Sequence, residues 1–500
     1  MPRGVIALFC GGLTALSLPK PGLCFLAWIS LAPLFFLWRR CNGWRDAAAI
    51  GLAAGFGYHG MALYWIYNTC RFAGLSVFVG LLAWGALTLF LALNWGLIGI
   101  LGRKFADGKS AWRPWAWAAL WTAVTFASER WTPRLCVDIL GYTQWRYLAL
   151  IQISSFAGPH FLGFLIVAAN AVLERAWVES DAEKGSSETA RNFALVLALV
   201  VASWAYGVFE MTRRHLNPPG FTNRVEILQP AVDQYQKWDA RFVQSIRDNF
   251  EELLSRPRSK TPALVVWPES SLPYLVEPER GIPEVAAWAK RLGAVHVVGA
   301  VSRENGSTYN AAFLVTPSSR DIVGYHKREL VPFGEFVPFK FLGRFIGILN
   351  EMGGISAGAA AQPLFQTPWG PAAASICYEA MFPRWVRADA ARGARIVFNL
   401  TNDGWYSTQD TWGPYQHFQA NVFRAVEDRV TIVRCANNGI SGVIDPWGVV
   451  TAKLDLHERG RLEAAVPTAD HFPQRSFYVR HGDWFGTMCL VVLLVLMVSA

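Results

Sequence analysis

Along the first part of the chain, apolar residues come in runs too long for a surface helix. Runs of roughly spanning length cover about 4–18, 22–38, 47–67, 74–102, 112–131, 160–178 and 192–210, and a last one covers 484–499. A helix of about 20 apolar residues crosses a bilayer's hydrocarbon core, so this pattern predicts a polytopic helical bundle of about eight spans. Pro19 and Pro21 separate the first two runs. Arg3 and the short run after it would also suit a signal peptide, but no small-residue cleavage site precedes the next run, so the pair is read as a retained hairpin.

After Arg213 and Arg214 the period changes. Following the turn Asn217–Gly220, short β-rich runs bounded by turn residues appear at Val225–Leu228, Ala263–Trp267, Val295–Val301, Ala311–Val315, Ala373–Cys377, Ile396–Leu400 and Ile432–Ala436. Ala240–Leu254 and Pro283–Leu292 carry apolar residues at helical spacing, with charges opposite. The pattern predicts three segments: a membrane bundle of about seven helices over 1–212, an α/β domain over 213–482, and a C-terminal membrane helix over 483–500.

Composition supports that division. The chain is 53% hydrophobic and only 17% charged, with 23 Trp, against about 25% charged residues in ordinary soluble proteins. Its net charge of +9 comes without a Lys/Arg run interleaved with aromatics, which argues against nucleic acid. The basic residues instead fall in short loops. With the N-terminus inside, Arg3, Arg39, Arg40, Arg45, Arg103, Lys104, Lys109, Arg113, Arg175, Lys184 and Arg191 are cytoplasmic, while fewer, Lys20, Arg71, Arg130, Arg134 and Arg146, lie outside. The positive-inside rule then puts both termini in the cytoplasm and the hydrophilic domain on the far side. The eight cysteines show no CxxC pair or metal-ligand spacing, which argues against a zinc site or a disulfide framework. His59, Asn68, Asn94, Glu129 and Asn170 interrupt the spans. An ionisable or polar group at that depth is either functional or, as for Glu129 beside Arg130, interfacial. The aromatic loop Trp131–His160 is read equally well as an interfacial platform or as an aromatic belt.

Candidate chemistry sits where strands end. ALVVWPES places Glu269 after a proline, SICYEAMF places Cys377 after small residues, VFNLTNDGWY ends in Asn402 and Asp403, and GYHKRE carries Lys327. A thiol with an ordinary pKa near about 8.5 is mostly protonated at neutral pH, so a base makes it a better nucleophile. Glu269 suits that base, with burial behind Trp267 and Pro268 tuning it. Lys327 suits the stabiliser of a tetrahedral oxyanion, aided by a backbone N–H near Cys377. Glu335 either orients Lys327 or assists proton transfer. His326 adjoins Lys327 but points to the opposite face of an extended segment. Taken singly, each of these residues is as readily a buried thiol, a strand-end acid or a solvated loop cation.

Together, WPES, YHKRELVPFGE and CYE resemble the nitrilase superfamily. LVPFGEFVPF, NLTNDGWY, the final YVRHGDWFG and the surrounding spans resemble more narrowly the apolipoprotein N-acyltransferase family. That resemblance implies an αββα sandwich with a Glu269–Lys327–Cys377 triad. It also implies Glu335, Tyr378, Glu379 and Trp238 as accessory or substrate-positioning residues, with no cofactor and no metal. The reaction it implies is ping-pong. Cys377 takes an acyl chain from a phospholipid, typically phosphatidylethanolamine, and passes it to the α-amine of a diacylglyceryl-cysteine at an apolipoprotein N-terminus. The implied location is the bacterial inner membrane, with a periplasmic catalytic domain. Phe333, Phe336, Phe339, Phe341, Leu342, Phe345, Ile346 and Leu349 are then either a lid that dips into lipid or ordinary core. Two other readings compete: a membrane-tethered amidase or nitrilase for a small amide, and an inactive lipid-binding scaffold.

Overall fold

The computed structural model describes residues 2–106, 111–131, 138–180, 187–216, 220–318, 322–336, 354–406, 410–467 and 472–498. The chain divides into two compact units. One is Met1–Arg213 with Thr411–Gln419 and His481–Ala500; the other is Arg214–Asp410 with Ala420–Arg480. The division falls close to residues 213 and 481, and Thr411–Gln419, which lies inside the hydrophilic half of the sequence, groups with the apolar unit.

The first unit is helical. Among the described residues, three helices are long and apolar enough to cross a membrane: Val77–Lys104, His160–Glu179 and Ser187–Leu216. Shorter apolar helices occupy Arg3–Ala15, Cys24–Arg39, Leu148–Ala157 and Trp484–Val498, so three of the eight spans read from hydropathy have helices of that length and composition among the described residues. The run 22–38 is broken into a 3-10 helix, Cys24–Trp28, and an α-helix, Ala32–Arg39. Likewise 47–67 becomes Trp44–Ala62 followed by Trp65–Phe72.

Asn170 explains how the first break is tolerated in apolar surroundings. Its Oδ1 accepts from Leu31 N and Ala32 N at 2.8 and 3.0 Å, and its Nδ2 donates to the carbonyls of Ala27 and Ile166, each at 2.8 Å. One buried amide thus meets three backbone groups at the break, Leu31 N, Ala32 N and the Ala27 carbonyl, where lipid offers no partner. His59, Asn94 and Glu129 are also paired internally. His59 Nε2 lies 2.6 Å from Asp138 Oδ1, Asn94 donates to Asp138 at 3.3 Å, and His160 Nε2 lies 3.1 Å from Glu129 Oε1. Small residues set the helix spacing: a Cβ on Gly11 would collide with the Ala54 carbonyl, and one on Gly51 with that of Trp95.

The second unit is two sheets with helices. One sheet has the strand order β13-β1-β2-β4-β5-β6, with β3 paired to β4. Its strands are β1 Phe221–Gln229, β2 Leu264–Val266, β3 Leu275–Val276, β4 Val295–Glu304, β5 Ser307–Val315, β6 Val323–His326 and β13 Gly460–Pro467. The other sheet runs β12-β11-β10-β9-β8-β7. Its strands are β7 Phe365–Thr367, β8 Gly370–Ile376, β9 Ile396–Thr401, β10 Thr431–Ala436, β11 Ser441–Ile444 and β12 Val450–Leu454.

Strand alternation builds the layers. Leu264 and Val266 of β2 face the core shared by the sheets, with Ile376, Phe398, Leu400 and Val433. Val265 and Trp267 face the other way, onto Phe250 and Leu253 of helix Val243–Ser255 and Val285 of helix Pro283–Leu292. Helix Pro383–Ala391 packs on β8. The result is the αββα sandwich. β1, β2 and β4 are mutually parallel, as are β8, β9 and β10, and the helices between them are the crossovers that parallel pairing requires.

Candidate active site

Four strands of the second unit end in the residues singled out by sequence. Glu269 follows β2, Lys327 follows β6, Cys377 follows β8, and Asn402 and Asp403 follow β9. The carboxyl ends of parallel strands are where open α/β sheets hold ligands.

Glu269, Lys327 and Glu335 form one buried chain of charge. Lys327, 1% exposed, places Nζ 3.3 Å from Glu269 Oε1 and 2.8 Å from Glu335 Oε1. Asn310 of β5 donates its Nδ2 to the same two oxygens, at 2.7 and 2.8 Å, and Glu335 Oε2 accepts from Val331 N at 2.8 Å. Burial works against the Lys327 charge, but the Glu335 and Glu269 carboxylates outweigh it and hold the ammonium above its ordinary pKa. Lys327 therefore stays a cation through the physiological range. Gly299 on β4 permits the packing: a Cβ there would strike the Pro268 carbonyl and the Glu269 Cα.

Trp267 is not the wall expected behind Glu269. Its ring stacks on Phe250 with centroids 4.6 Å apart, and its Nε1 donates to His296 Nδ1 at 2.9 Å, on the helix side of the sheet. Its side chain leaves β2 on the face opposite Val266, as the two-residue period requires. His326 pairs with Glu304 at 2.8 Å and stacks on Tyr309, so its ring is engaged apart from the Glu269–Lys327 pair.

Cys377 has φ +50°, a left-handed conformation costly for a residue with a Cβ. It starts a 3-10 turn, Cys377–Met381, that throws the side chain off the end of β8. The residue as a whole is only partly buried, but its thiol sits among packed groups. Burial first, then the Glu269 charge, lift the thiol well above its ordinary pKa; Lys327 and a hydrogen bond with Thr401 pull the other way. The resting group is a thiol, and a base is required.

Glu379 holds that turn. Fully buried, it accepts from Ile376 N at 2.6 Å and Tyr325 Oη at 2.7 Å on Oε2, and from Arg328 N at 2.6 Å and Glu329 N at 3.2 Å on Oε1. One carboxylate thus ties the Cys377 turn to the segment carrying Lys327. Tyr378 packs edge-on against Phe382 at 5.0 Å, and Trp238 is 48% exposed. Phe333, with φ +60°, is also exposed. The remaining suggested lid residues from Phe339 to Leu349, like Cys136, lie outside the described residues.

Three contributors escaped the sequence reading. Asn310 looked like one position among many in a strand, Lys237 like a flank of Trp238, and Arg434 like a strand residue. Arg434 is fully buried, donating to Asn399 Oδ1 and, at 2.8 Å, to Asp403 Oδ2. Lys237, 3% exposed, donates to the Glu269 carbonyl at 2.9 Å. A charged residue inside an otherwise apolar strand, as Arg434 is in TIVRCA, was the one available signal.

Residues 229–471 match the carbon-nitrogen hydrolase family, and residues 10–172 match the apolipoprotein N-acyltransferase N-terminal domain. A protein of Geobacter metallireducens described as apolipoprotein N-acyltransferase is 33% identical over 497 residues, covering 97% of this chain and 93% of its own. The chain belongs to the apolipoprotein N-acyltransferase family. A relative from Rhodopseudomonas palustris with the same description is 32% identical over 540 residues, covering 99% of this chain and 95% of its own. Among solved structures, Saccharomyces cerevisiae Nit3, a member of branch 10 of the nitrilase superfamily, is similar over 50% of this chain and 91% of that chain, at 17% identity and a TM-score of 0.38.

Proposed function

We propose that the chain N-acylates apolipoproteins through a thioester on Cys377, with Glu269 as base and Lys327 as oxyanion stabiliser. Family membership over nearly the whole chain supports the overall reaction. The observation that supports the residue roles is the contact of Lys327 with both Glu269 and Glu335, at the strand ends that also carry Cys377.

The steps balance. The Cys377 sulfur attacks an ester carbonyl of a phospholipid while its proton passes to the Glu269 carboxylate. Negative charge develops on the carbonyl oxygen and is met by the Lys327 ammonium and a backbone N–H of the Cys377 turn. Collapse expels the lysophospholipid oxygen, which takes the proton back from Glu269, and leaves the thioester. The neutral α-amine of the diacylglyceryl-cysteine then attacks the thioester and gives Glu269 a proton. Cys377 leaves as a thiol, recovering that proton, and the acceptor carries a new amide. Glu335 and Asn310 hold Lys327 and Glu269 in register, Glu379 holds the turn, and Tyr378 and Trp238 position substrate.

The topology belongs to the same proposal. About eight spans divide into a bundle over 1–212 and a closing helix over 483–500, with both termini cytoplasmic. The domain 213–482 then faces the periplasm at the inner membrane, with phosphatidylethanolamine as donor. Removing an acyl chain from the bilayer costs about 0.8 kcal/mol per methylene, which favours a catalyst held at the lipid surface. A tethered amidase would need only one span, and the family match supports acyl transfer over both that reading and an inactive scaffold. Purified protein incubated with phosphatidylethanolamine tests the proposal: release of lysophospholipid followed by N-acylation of a diacylated lipopeptide supports it, and ammonia release from small amides without acyl transfer contradicts it.

A further inference from the structure

Among the described residues, the formal charges around Glu269 balance only when Lys237 is counted. Glu269 and Glu335 carry two negative charges against the single positive charge of Lys327, and all three sit in one bonded cluster. The neighbouring groups balance among themselves. Asp403 is paired with Arg434, while Glu379 and Asp389 face Arg328, with Arg392 beside Asp389. Tyr406, buried near Cys377, stays a neutral phenol because burial and the Asp403 charge raise it. Among the described residues, one negative charge is left over.

Lys237 lies where that charge is. It is almost fully buried, and its single hydrogen bond among the described residues goes to the Glu269 carbonyl rather than to a carboxylate. A buried ammonium with no directly bonded anion is unfavourable unless a nearby charge compensates it. The segment bearing it is fixed: Asn437 bonds Val232 through both N and O, at 3.0 and 2.8 Å, and Asn402 bridges Asn437 to Gln234. Lys237 is therefore held at its post through Asn402 and Asn437, which follow β9 and β10, and among the described residues no carboxylate bonds it directly.

We propose that Lys237 is a positioning residue that neutralises the surplus charge of the Glu269–Lys327–Glu335 cluster and so keeps Glu269 free of a proton as the base for Cys377. This inference rests on the cysteine mechanism above. Without the Lys237 charge, the cluster relieves its surplus by taking up a proton from solvent, and a proton on Glu269 blocks removal of the thiol proton. Burial brings the Lys237 ammonium down to about 8, opposed by the charge of Glu269, so it remains mostly charged at neutral pH.

The test uses the full-length protein in detergent, with K237Q, which still donates to the Glu269 carbonyl but lacks charge, and K237R, which keeps it. Alkylation of Cys377 by iodoacetamide is followed by peptide mass mapping from pH 5 to 9, alongside acylation by phosphatidylethanolamine. In K237Q the midpoint of both pH profiles moves up by about one unit, the size of shift a single nearby buried charge produces. Its rate falls toward about tenfold at pH below both midpoints and recovers above them, while K237R keeps the wild-type midpoint. K237M, which removes the hydrogen bond as well, shares the K237Q midpoint even if its rate is lower. A K237Q profile that superimposes on wild type, or one that falls equally at every pH, overturns the inference. Failure of wild-type protein to be acylated, with alkylation intact, removes the acyltransfer reading but leaves the alkylation comparison to judge Lys237.

Discussion

Substituting Glu379 by glutamine tests whether one carboxylate holds two catalytic segments in register. Each of its oxygens accepts two hydrogen bonds: Ile376 N and Tyr325 Oη on one, Arg328 N and Glu329 N on the other. Whichever oxygen Glu379→Gln converts to NH2, two buried donors then face a donor. An unsatisfied buried group costs about 1–3 kcal/mol, so the variant loses on the order of 2–6 kcal/mol. At about 2–4 °C per kcal/mol for a domain of this size, the thermal midpoint falls by roughly 4 °C or more. The Tyr325 hydroxyl can turn to relieve one clash, which places the outcome toward the lower end. The backbone N–H groups cannot turn, so the left-handed Cys377 turn loosens and acylation slows severalfold. A fluorescence melt and the initial rate of Cys377 acylation across pH read both effects. Because Glu379 acts through geometry, the pH midpoint of the residual rate stays at the wild-type value. A wild-type melt with a wild-type rate would refute the reasoning, and a displaced pH midpoint would make Glu379 part of the proton transfer instead.

Two further predictions follow from single residues. Asn170→Ala removes a side chain that pairs with three backbone groups at the break before Ala32, and lowers the thermal midpoint of purified protein, at a cost of about 2–4 kcal/mol; an unchanged midpoint would show that the break needs no side-chain support. His296 is buried, bonded to Trp267, and held neutral by burial, its pKa pushed down to about 3. The unfolded chain therefore binds a proton below about pH 6.5 that the folded domain refuses, and stability falls from there toward pH 3 by about 1.4 kcal/mol per unit. His296→Gln flattens that part of a denaturation-against-pH series, and an undiminished slope would contradict the assignment.

Much of the catalytic unit was legible because its strands are buried on both faces and read as uninterrupted apolar runs: β2, β9 and β10 lie within a residue or two of their expected places. β12 and β13 were missed because most of their residues are only half-buried or exposed and their sequences mix charged with apolar positions, next to Gly and charged turns. Glu269, Lys327 and Cys377 were legible because reactive side chains at strand ends stand out against apolar strands. Lys237 and Asn310 were not, since their importance comes from which carboxylate or carbonyl they meet across distant segments. Hydropathy located the helical material but not its lengths. The break before Ala32 depends on Asn170, more than 130 residues away, and no local window contains that information.

The most direct test is the intact mass of purified wild-type protein after incubation with phosphatidylethanolamine alone, with peptide mapping of any adduct. The account predicts one acyl chain on Cys377, lost to a diacylated lipopeptide as an N-acyl product and absent from Cys377→Ala. Acyl transfer to the lipopeptide by Cys377→Ala at the wild-type rate, or an adduct on another residue with Cys377 unmodified, would contradict it.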